Sequence, residues 1–423
     1  MNTACEPAVT RPAPPPAEQR PAARAWLAVA SVALGAFIIV TTEFIPVGFL
    51  PRIAGSLHVS LGLAGLMVVV PGLSAAISAP LIFTGARQVN RRPMILTLGG
   101  LVALSNAVAS IAPDFGAVLA GRVLLGVAIA GFWTVVMPVG PKLVGARAGT
   151  RAISFIVAGV SAGTVIGLPA GQALGNLLGW RLTFATAAGT ALLIVAAQTA
   201  LLPGIPADGH TRLRDLGGVF RISSARTGLI ATAVMFTGQF AASTYITPLL
   251  TSHARMSTPE ITALFFGYGT AGIIGTLIGG RLVARSTAGT FAGAGLTVGA
   301  VLIALPILGA TRPVVAVLIV TWGLIWGLIP LAAQVWMLRS NPDAQEAASA
   351  ANVSNMQISI AAGSAVGGLL IDFAGLATVY TVAGSVALAS AAFALTAGRQ
   401  GRAREQHNVS VPSPASAEGQ RSE

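Results

Sequence analysis

Charge is what this chain has least of. Only 9% of its 423 residues are charged, and the mean hydropathy is +0.79. A soluble domain carries about 25% charged residues, so this chain could not cover its surface in water, which excludes a soluble globular protein. Cysteine is almost absent. Cys5 stands alone in a proline-rich stretch, which excludes an internal disulfide, a thiolate metal site and a cysteine nucleophile with a partner framework. Lysine is nearly missing too, since Lys142 is the single lysine among 25 basic residues. The histidines, His58, His210, His253 and His407, fall in connectors or tails with no metal-ligand spacing. No Walker-type glycine loop appears, so ATP is not the energy source. These absences leave no enzyme signal, and neither a cofactor nor a metal is expected. A net charge of +12 invites a nucleic-acid reading. The charges sit in short connectors and tails, however, and no basic face is interleaved with aromatics, so no nucleic-acid partner is expected.

What the chain has instead is long apolar runs. Twelve are long enough to span a bilayer, at about 20 residues each: 25–50, 60–84, 92–112, 115–138, 150–175, 180–202, 226–251, 259–283, 288–310, 313–338, 346–371 and 376–397. The fold class is therefore an all-α membrane protein, in contact with lipid along its length. Residues 1–23 carry too few large apolar groups to fold and read as a disordered tail. They are not a signal peptide, because the run after Arg24 is too long and lacks a small-residue cleavage site. Residues 24–202 make a first six-helix half, 203–225 a polar connector, 226–397 a second half, and 398–423 a second disordered tail.

Arginine placement orients the runs. With both tails cytoplasmic, the inside holds Arg87, Arg91, Arg92, Lys142, Arg147, Arg151, Arg212, Arg214, Arg221, Arg226, Arg281, Arg285 and Arg339. The outside holds only Arg52, Arg181, Arg255 and Arg312. That asymmetry is the positive-inside pattern, and an even span count agrees with it.

The halves also echo one another. Ala162-Gly163-Thr164-Val165-Ile166-Gly167 in the fifth run returns as Ala362-Gly363-Ser364-Ala365-Val366-Gly367 in the eleventh, 200 residues on. Two repeated six-helix bundles with a site between them near mid-membrane is the plan of a secondary transporter.

One carboxylate interrupts the apolar pattern. Glu43 lies inside the run from Trp26 to Leu50, where an ionisable group costs roughly 2.5 kcal/mol or more. Asp372 stands only at the end of a run. Arg122 is the expected partner of Glu43. Each lies eight residues from the outer end of its run, at about 12 Å depth. Two opposite charges at one depth should pair, because leaving either alone is costly. Burial disfavours the charged form of a carboxylate and a guanidinium favours it, so Glu43 could titrate near physiological pH and carry a proton. The alternative is a static bridge pinning two helices.

Gly159, Gly163, Gly167, Gly171 and Gly175 put a glycine at every fourth position of the fifth run, with Pro169 among them. Such a stripe lets another helix approach backbone to backbone. It reads either as a hinge between the halves or as ordinary small-residue packing, and the eighth run, with Gly269, Gly272, Gly275 and Gly279, is a natural mate. A central cavity would draw on Phe37, Thr42 and Trp133 in the first half. In the second half it would draw on Gln239, Tyr245, Trp326, Gln334, Asn352 and Gln357, with Trp322 and Asn355 beside them. Flat aromatic faces with amide donors suit a planar heterocycle or a sugar ring, while interhelical hydrogen bonding is the plainer role for each group.

These features resemble the major facilitator superfamily. Gly121-Arg122 in the fourth run and Gly163…Gly167-Leu168-Pro169-Ala170-Gly171 in the fifth are similar to its twelve-span drug:proton antiporter branch. The resemblance implies efflux, proton transfer at Arg122, a small-molecule substrate, and a chain that works as a monomer. Thr42-Glu43-Phe44-Ile45-Pro46-Val47-Gly48 looks like the first helix of bacterial sugar and purine-ribonucleoside exporters. Gly131-Phe132-Trp133, Gly238-Gln239-Phe240 with Thr244-Tyr245-Ile246, and Trp322-Gly323-Leu324 resemble the ribonucleoside exporters more closely. One departure stands out. In Phe83-Thr84-Gly85-Ala86-Arg87-Gln88-Val89-Asn90-Arg91-Arg92, Arg87 occupies the place of the family's acid, which puts any gating role of that acid in doubt. The Ala, Gly and Arg bias is that of a GC-rich bacterial genome. The expected protein is a proton-coupled exporter of a purine ribonucleoside or sugar-like solute in a bacterial inner membrane, with a multidrug:proton antiporter as the alternative.

Overall fold

The computed structural model describes residues 23–85, 89–136, 139–206, 217–308, 311–342 and 345–410. The expected N-terminal tail up to residue 22, residues 207–216 of the connector, Arg87 and residues 411–423 lie outside the described residues. Every regular element among the described residues is helical.

In the first half, α1 (Ala23–Phe44) runs through a 3-10 turn (Ile45–Phe49) into a short helix (Leu50–Leu57). A single turn (Leu61–Ala64) leads into α2 (Leu66–Gly85). Next come α3 (Arg91–Ile111), α4 (Phe115–Val135), α5 (Ala146–Leu177) and α6 (Trp180–Leu201). The second half opens with α7 (Ser223–Ser243), which bends by 44° into Ile246–His253. It continues with α8 (Thr258–Arg285), α9 (Thr287–Leu308) and α10, which is made of Arg312–Trp326 and Ile329–Ser340. The last stretch, Gln345–Ser410, breaks at Gly375, whose φ of 81° is left-handed and so ends α11 and starts α12. Among the described residues, ten stretches are long and apolar enough to cross a membrane. The 347–396 stretch holds the Gly375 break and supplies two crossings, and bent α7 supplies one more, giving twelve.

The turns in α1, α7 and α10 sit where proline enters. Pro46, Pro248 and Pro330 each remove a backbone donor, and the helix tightens or bends beside them. One boundary differs from expectation. Helical backbone continues through Ser410 rather than ending near 397, because 398–410 is rich in Arg, Gln and Glu, which are good helix formers.

Buried apolar residues fall into two main clusters. One gathers residues from Ala28 to Ile205; the other is built mostly from residues 231–394 and takes in Val47, Leu50, Ala54, Ala64 and Val68 from the first half. The repeat is also visible in the packing. A Cβ on Gly163 would meet the Phe37 carbonyl at 2.7 Å, and one on Gly363 would meet the Thr237 carbonyl at 2.3 Å. Gly167 faces the Thr41 backbone as Gly367 faces that of Ala241. All four contacts keep the offset of 200, so α5 lies on α1 as α11 lies on α7.

The same contacts correct the expected mate of the α5 stripe. Gly159, Gly163, Gly167, Gly171 and Gly175 face Ala33, Phe37, Thr41, Ile45 and Phe49 of α1 and its 3-10 turn, inside one half. The α8 glycines Gly272, Gly275 and Gly279 face α10, and only Gly269 meets α5, at Val165. The α5 stripe is taken up inside its own bundle, and α8 meets α5 across the seam at Gly269 alone of its four glycines.

Candidate functional site

Glu43 is the last residue but one of α1, and its side chain is buried. Its Oε1 accepts a hydrogen bond from Gln357 Nε2 of α11 at 3.5 Å. The only deeply placed acid of α1 therefore touches the opposite half, and its contact is an amide.

Arg122 of α4 is fully buried beside it. The expected carboxylate–guanidinium pair is not what the guanidinium makes. Nη1 donates to the Thr42 carbonyl at 3.0 Å, Nη2 to the Glu43 carbonyl at 3.1 Å, and Nε to the Met67 carbonyl at 2.9 Å. The positive charge thus lies against the backbone of Glu43, and backbone dipoles of α1 and α2 share it. The two residues do lie side by side, but the acceptors are carbonyls, because a charge-pairing rule overlooks carbonyls freed by a helix break. Asn106 of α3 completes this corner by donating to Thr42 Oγ1 at 3.1 Å. Its own Oδ1 is buried without a partner.

Beside Glu43, an aromatic group bridges the halves. Phe44 stacks on Phe240 with ring centroids 5.9 Å apart and planes 20° apart. Phe240 and Phe236 both pack on Trp326, at 5.9 and 5.0 Å. Phe44 and Trp326 are half-buried, so aromatic surface remains open there. Of this group only Trp326 was singled out from sequence. Phe44 and Phe240 were legible merely as parts of the quoted segments.

The other expected cavity residues divide. Gln239 is buried, with Oε1 accepting from Trp322 Nε1 at 2.7 Å and Nε2 donating to the Tyr268 hydroxyl at 3.2 Å. Its amide is engaged within its own half. Gln334 donates to Ser349 at 2.7 Å and accepts from Asn352 at 3.0 Å, while Asn352 Oδ1 stays buried and unpartnered. Asn355 donates to the Leu229 carbonyl at 3.0 Å. Phe37 is half-buried against the first-half cluster, and half-buried Trp133 meets Phe132 edge-on at 5.6 Å.

Tyr245 works at the seam. Its hydroxyl donates to the Ser364 carbonyl at 3.0 Å and lies 3.5 Å from the Gly62 carbonyl of the first half. Three further contacts close the arginine-poor face, and sequence reading missed all of them. Thr247 donates to the Val47 carbonyl at 2.7 Å. The Gly62 N–H donates to Asp372 Oδ1 at 3.0 Å, and the Ser60 hydroxyl donates to the same carboxylate. In the sequence Asp372 stands only at the end of a run. Its reach to the Gly62 N–H at the start of the Leu61–Ala64 turn, 310 residues away in sequence, has no local signal. Among the described residues no three His, Cys, Asp or Glu side chains gather to hold a metal ion.

Comparison with known proteins adds independent findings. A family model described as the Major Facilitator Superfamily matches residues 32–363. The chain is 31% identical over 377 residues to the transcription regulatory protein OpdE of Pseudomonas aeruginosa, covering 88% of this chain and 94% of that one. It is 32% identical over 366 residues to the purine ribonucleoside efflux pump NepI of Salmonella paratyphi B, covering 86% and 92%. Among solved structures, a bacterial homologue of the human lysosomal transporter Spinster, inward-facing and unoccupied, superposes with a TM-score of 0.66. That match has 14% identity, over 88% of this chain and 95% of that one. The human organic anion transporter MFSD10 gives 0.64 at 16% identity, over 88% and 99%. These two share the fold.

Proposed function

The chain belongs to the major facilitator superfamily and is a multi-pass membrane transporter, and we propose that it exports a small polar solute, of purine-ribonucleoside or sugar-like class, in exchange for protons. The observation that carries this reading is the Glu43–Gln357 contact across the seam. A carboxylate that takes up or releases a proton changes the strength of a contact between the two halves, and that is the minimum device for coupling protons to rocking. In the proposed cycle Glu43 takes a proton while the arginine-poor face is open. The halves then close that face, as they stand here, and Glu43 releases the proton toward the arginine-rich side. Solute binds next, and the halves return. Differential affinity of proton and solute for the two states couples the fluxes.

The aromatic surface of Phe44, Phe240, Phe236 and Trp326 supports a planar or ring-shaped solute stacked beside the carboxylate. The name of the NepI relative points the same way. Arginine placement supports both termini lying in the cytoplasm of a bacterial inner membrane, with the arginine-poor face outward.

The test uses everted membrane vesicles with an acid interior and labelled inosine as the purine ribonucleoside probe. Inosine is expected to accumulate inside, and a protonophore is expected to abolish that accumulation. Inosine entering right-side-out vesicles along an inward proton gradient would instead establish an importing symporter. Transport of ethidium without inosine would replace the solute class with amphipathic cations.

A further inference from the structure

The three carbonyls that hold Arg122 have a common origin in proline. In an α-helix each carbonyl accepts from the N–H four residues later. Four residues after Thr42 is Pro46, and four after Met67 is Pro71. Neither proline has an N–H to give. The 3-10 turn Ile45–Phe49 extends the effect, because in an i to i+3 register the Glu43 carbonyl also faces Pro46. Pro46 and Pro71 are both buried, and in a membrane interior no water replaces the missing donors. The guanidinium replaces them with three donors of its own, one to each carbonyl, at 2.9 to 3.1 Å.

We propose that Pro46 and Pro71 are positioning residues of the proton-coupling site: they strip donors from α1 and α2, and the carbonyl cradle so formed keeps Arg122 off the Glu43 carboxylate. The inference rests on the proton-coupling role of Glu43 given above. A carboxylate is a stronger acceptor for a guanidinium than a carbonyl is. An arginine free to turn would therefore lock Glu43 into a permanent ion pair, which could not exchange a proton during the cycle. Held on the backbone, the same charge stays near Glu43 without capturing it. The groups facing Glu43 are few: Arg122 from α4 is the charged group acting on it, and Gln357 from α11 is the side chain hydrogen-bonded to it.

The experiment is Pro71→Ala, which gives α2 back the N–H that can satisfy the Met67 carbonyl and so frees one arm of the cradle. The readout is an infrared pH titration of the purified full-length protein, with the Glu43 carboxylic-acid band assigned by its loss in Glu43→Gln. The midpoint of that band is expected to move to lower pH by roughly 1–3 units, the effect of a newly engaged guanidinium. Proton-coupled export is expected to fall, while inosine counterflow without a gradient persists. Pro71→Gly restores the same N–H with a different helix propensity and should show the same shift, which separates the cradle from a general change in helix stability. An unmoved midpoint in either folded variant overturns the proposal. Should the wild-type protein show no titrating band that Glu43→Gln removes, the proton-coupling reading fails instead, and the proposal with it.

Discussion

Gln357 Nε2 on α11 donates to Glu43 Oε1 on α1 across the seam between the halves, at 3.5 Å. Both residues are buried, so the contact is shielded from water and its strength depends on the charge of the carboxylate. Gln357→Leu keeps the bulk and removes the donor. A well-formed hydrogen bond to a charged group is worth about 1.5–3 kcal/mol and this longer one is worth less, so proton-driven export should fall severalfold, with unchanged protein amount in the membrane. Initial rates in vesicles, normalised to expression, check this. A wild-type rate would mean that the seam contact does not govern the cycle.

The glycine pairs predict a graded loss of stability. A Cβ at position 159 would lie 2.2 Å from the Ala33 carbonyl, whereas one at 167 would lie 3.0 Å from the Thr41 Cα. Forcing extra volume into a packed interface costs about 1–3 kcal/mol. Gly159→Ala should therefore lower the thermal midpoint in detergent more than Gly167→Ala does. By the repeat, Gly363→Ala, at 2.3 Å from the Thr237 carbonyl, should resemble Gly159→Ala. The reverse order would show that α1 and α5 are not packed as described.

Asp372 joins the two halves at the arginine-poor face, accepting from the Gly62 N–H and the Ser60 hydroxyl. Asp372→Asn removes the charge that accepts from Gly62 and Ser60 at the start of the Leu61–Ala64 turn and should shift the population toward an open face. Spin labels at the exposed positions Leu63 and Phe373 report the distance between the two elements. The fraction at long distance is expected to rise in Asp372→Asn, and to rise further when Tyr245→Phe removes the hydroxyl that bridges Ser364 and Gly62. Identical distance distributions in wild type and double variant would exclude a latch.

The twelve crossings were legible because hydropathy in a bilayer is nearly a one-dimensional signal. The repeat was legible in Ala162-Gly163 and Ala362-Gly363, since each copy must clear the same backbone. That Glu43 and Arg122 are neighbours was legible from their matching distances to the ends of their runs. The guanidinium's acceptor was not, although the spacing from Thr42 to Pro46 and from Met67 to Pro71 carried that information. The mate of the α5 stripe was hidden for a different reason: small residues announce that something comes close without naming it. Interhelical hydrogen bonding is the plainer role of Gln239 in the sequence, but nothing there names Trp322 and Tyr268 as the partners of its amide. The Asp372 contacts join residues more than 300 positions apart, beyond any local pattern.

The central claim is that Glu43 carries the coupled proton. The direct measurement compares wild type and Glu43→Gln in reconstituted vesicles, following lumenal pH and labelled inosine together. Wild type is expected to discharge an imposed pH gradient when inosine is added. Glu43→Gln is expected to leave the gradient intact while still exchanging inosine for inosine at equal pH. Discharge of the gradient by Glu43→Gln at the wild-type rate would contradict the account.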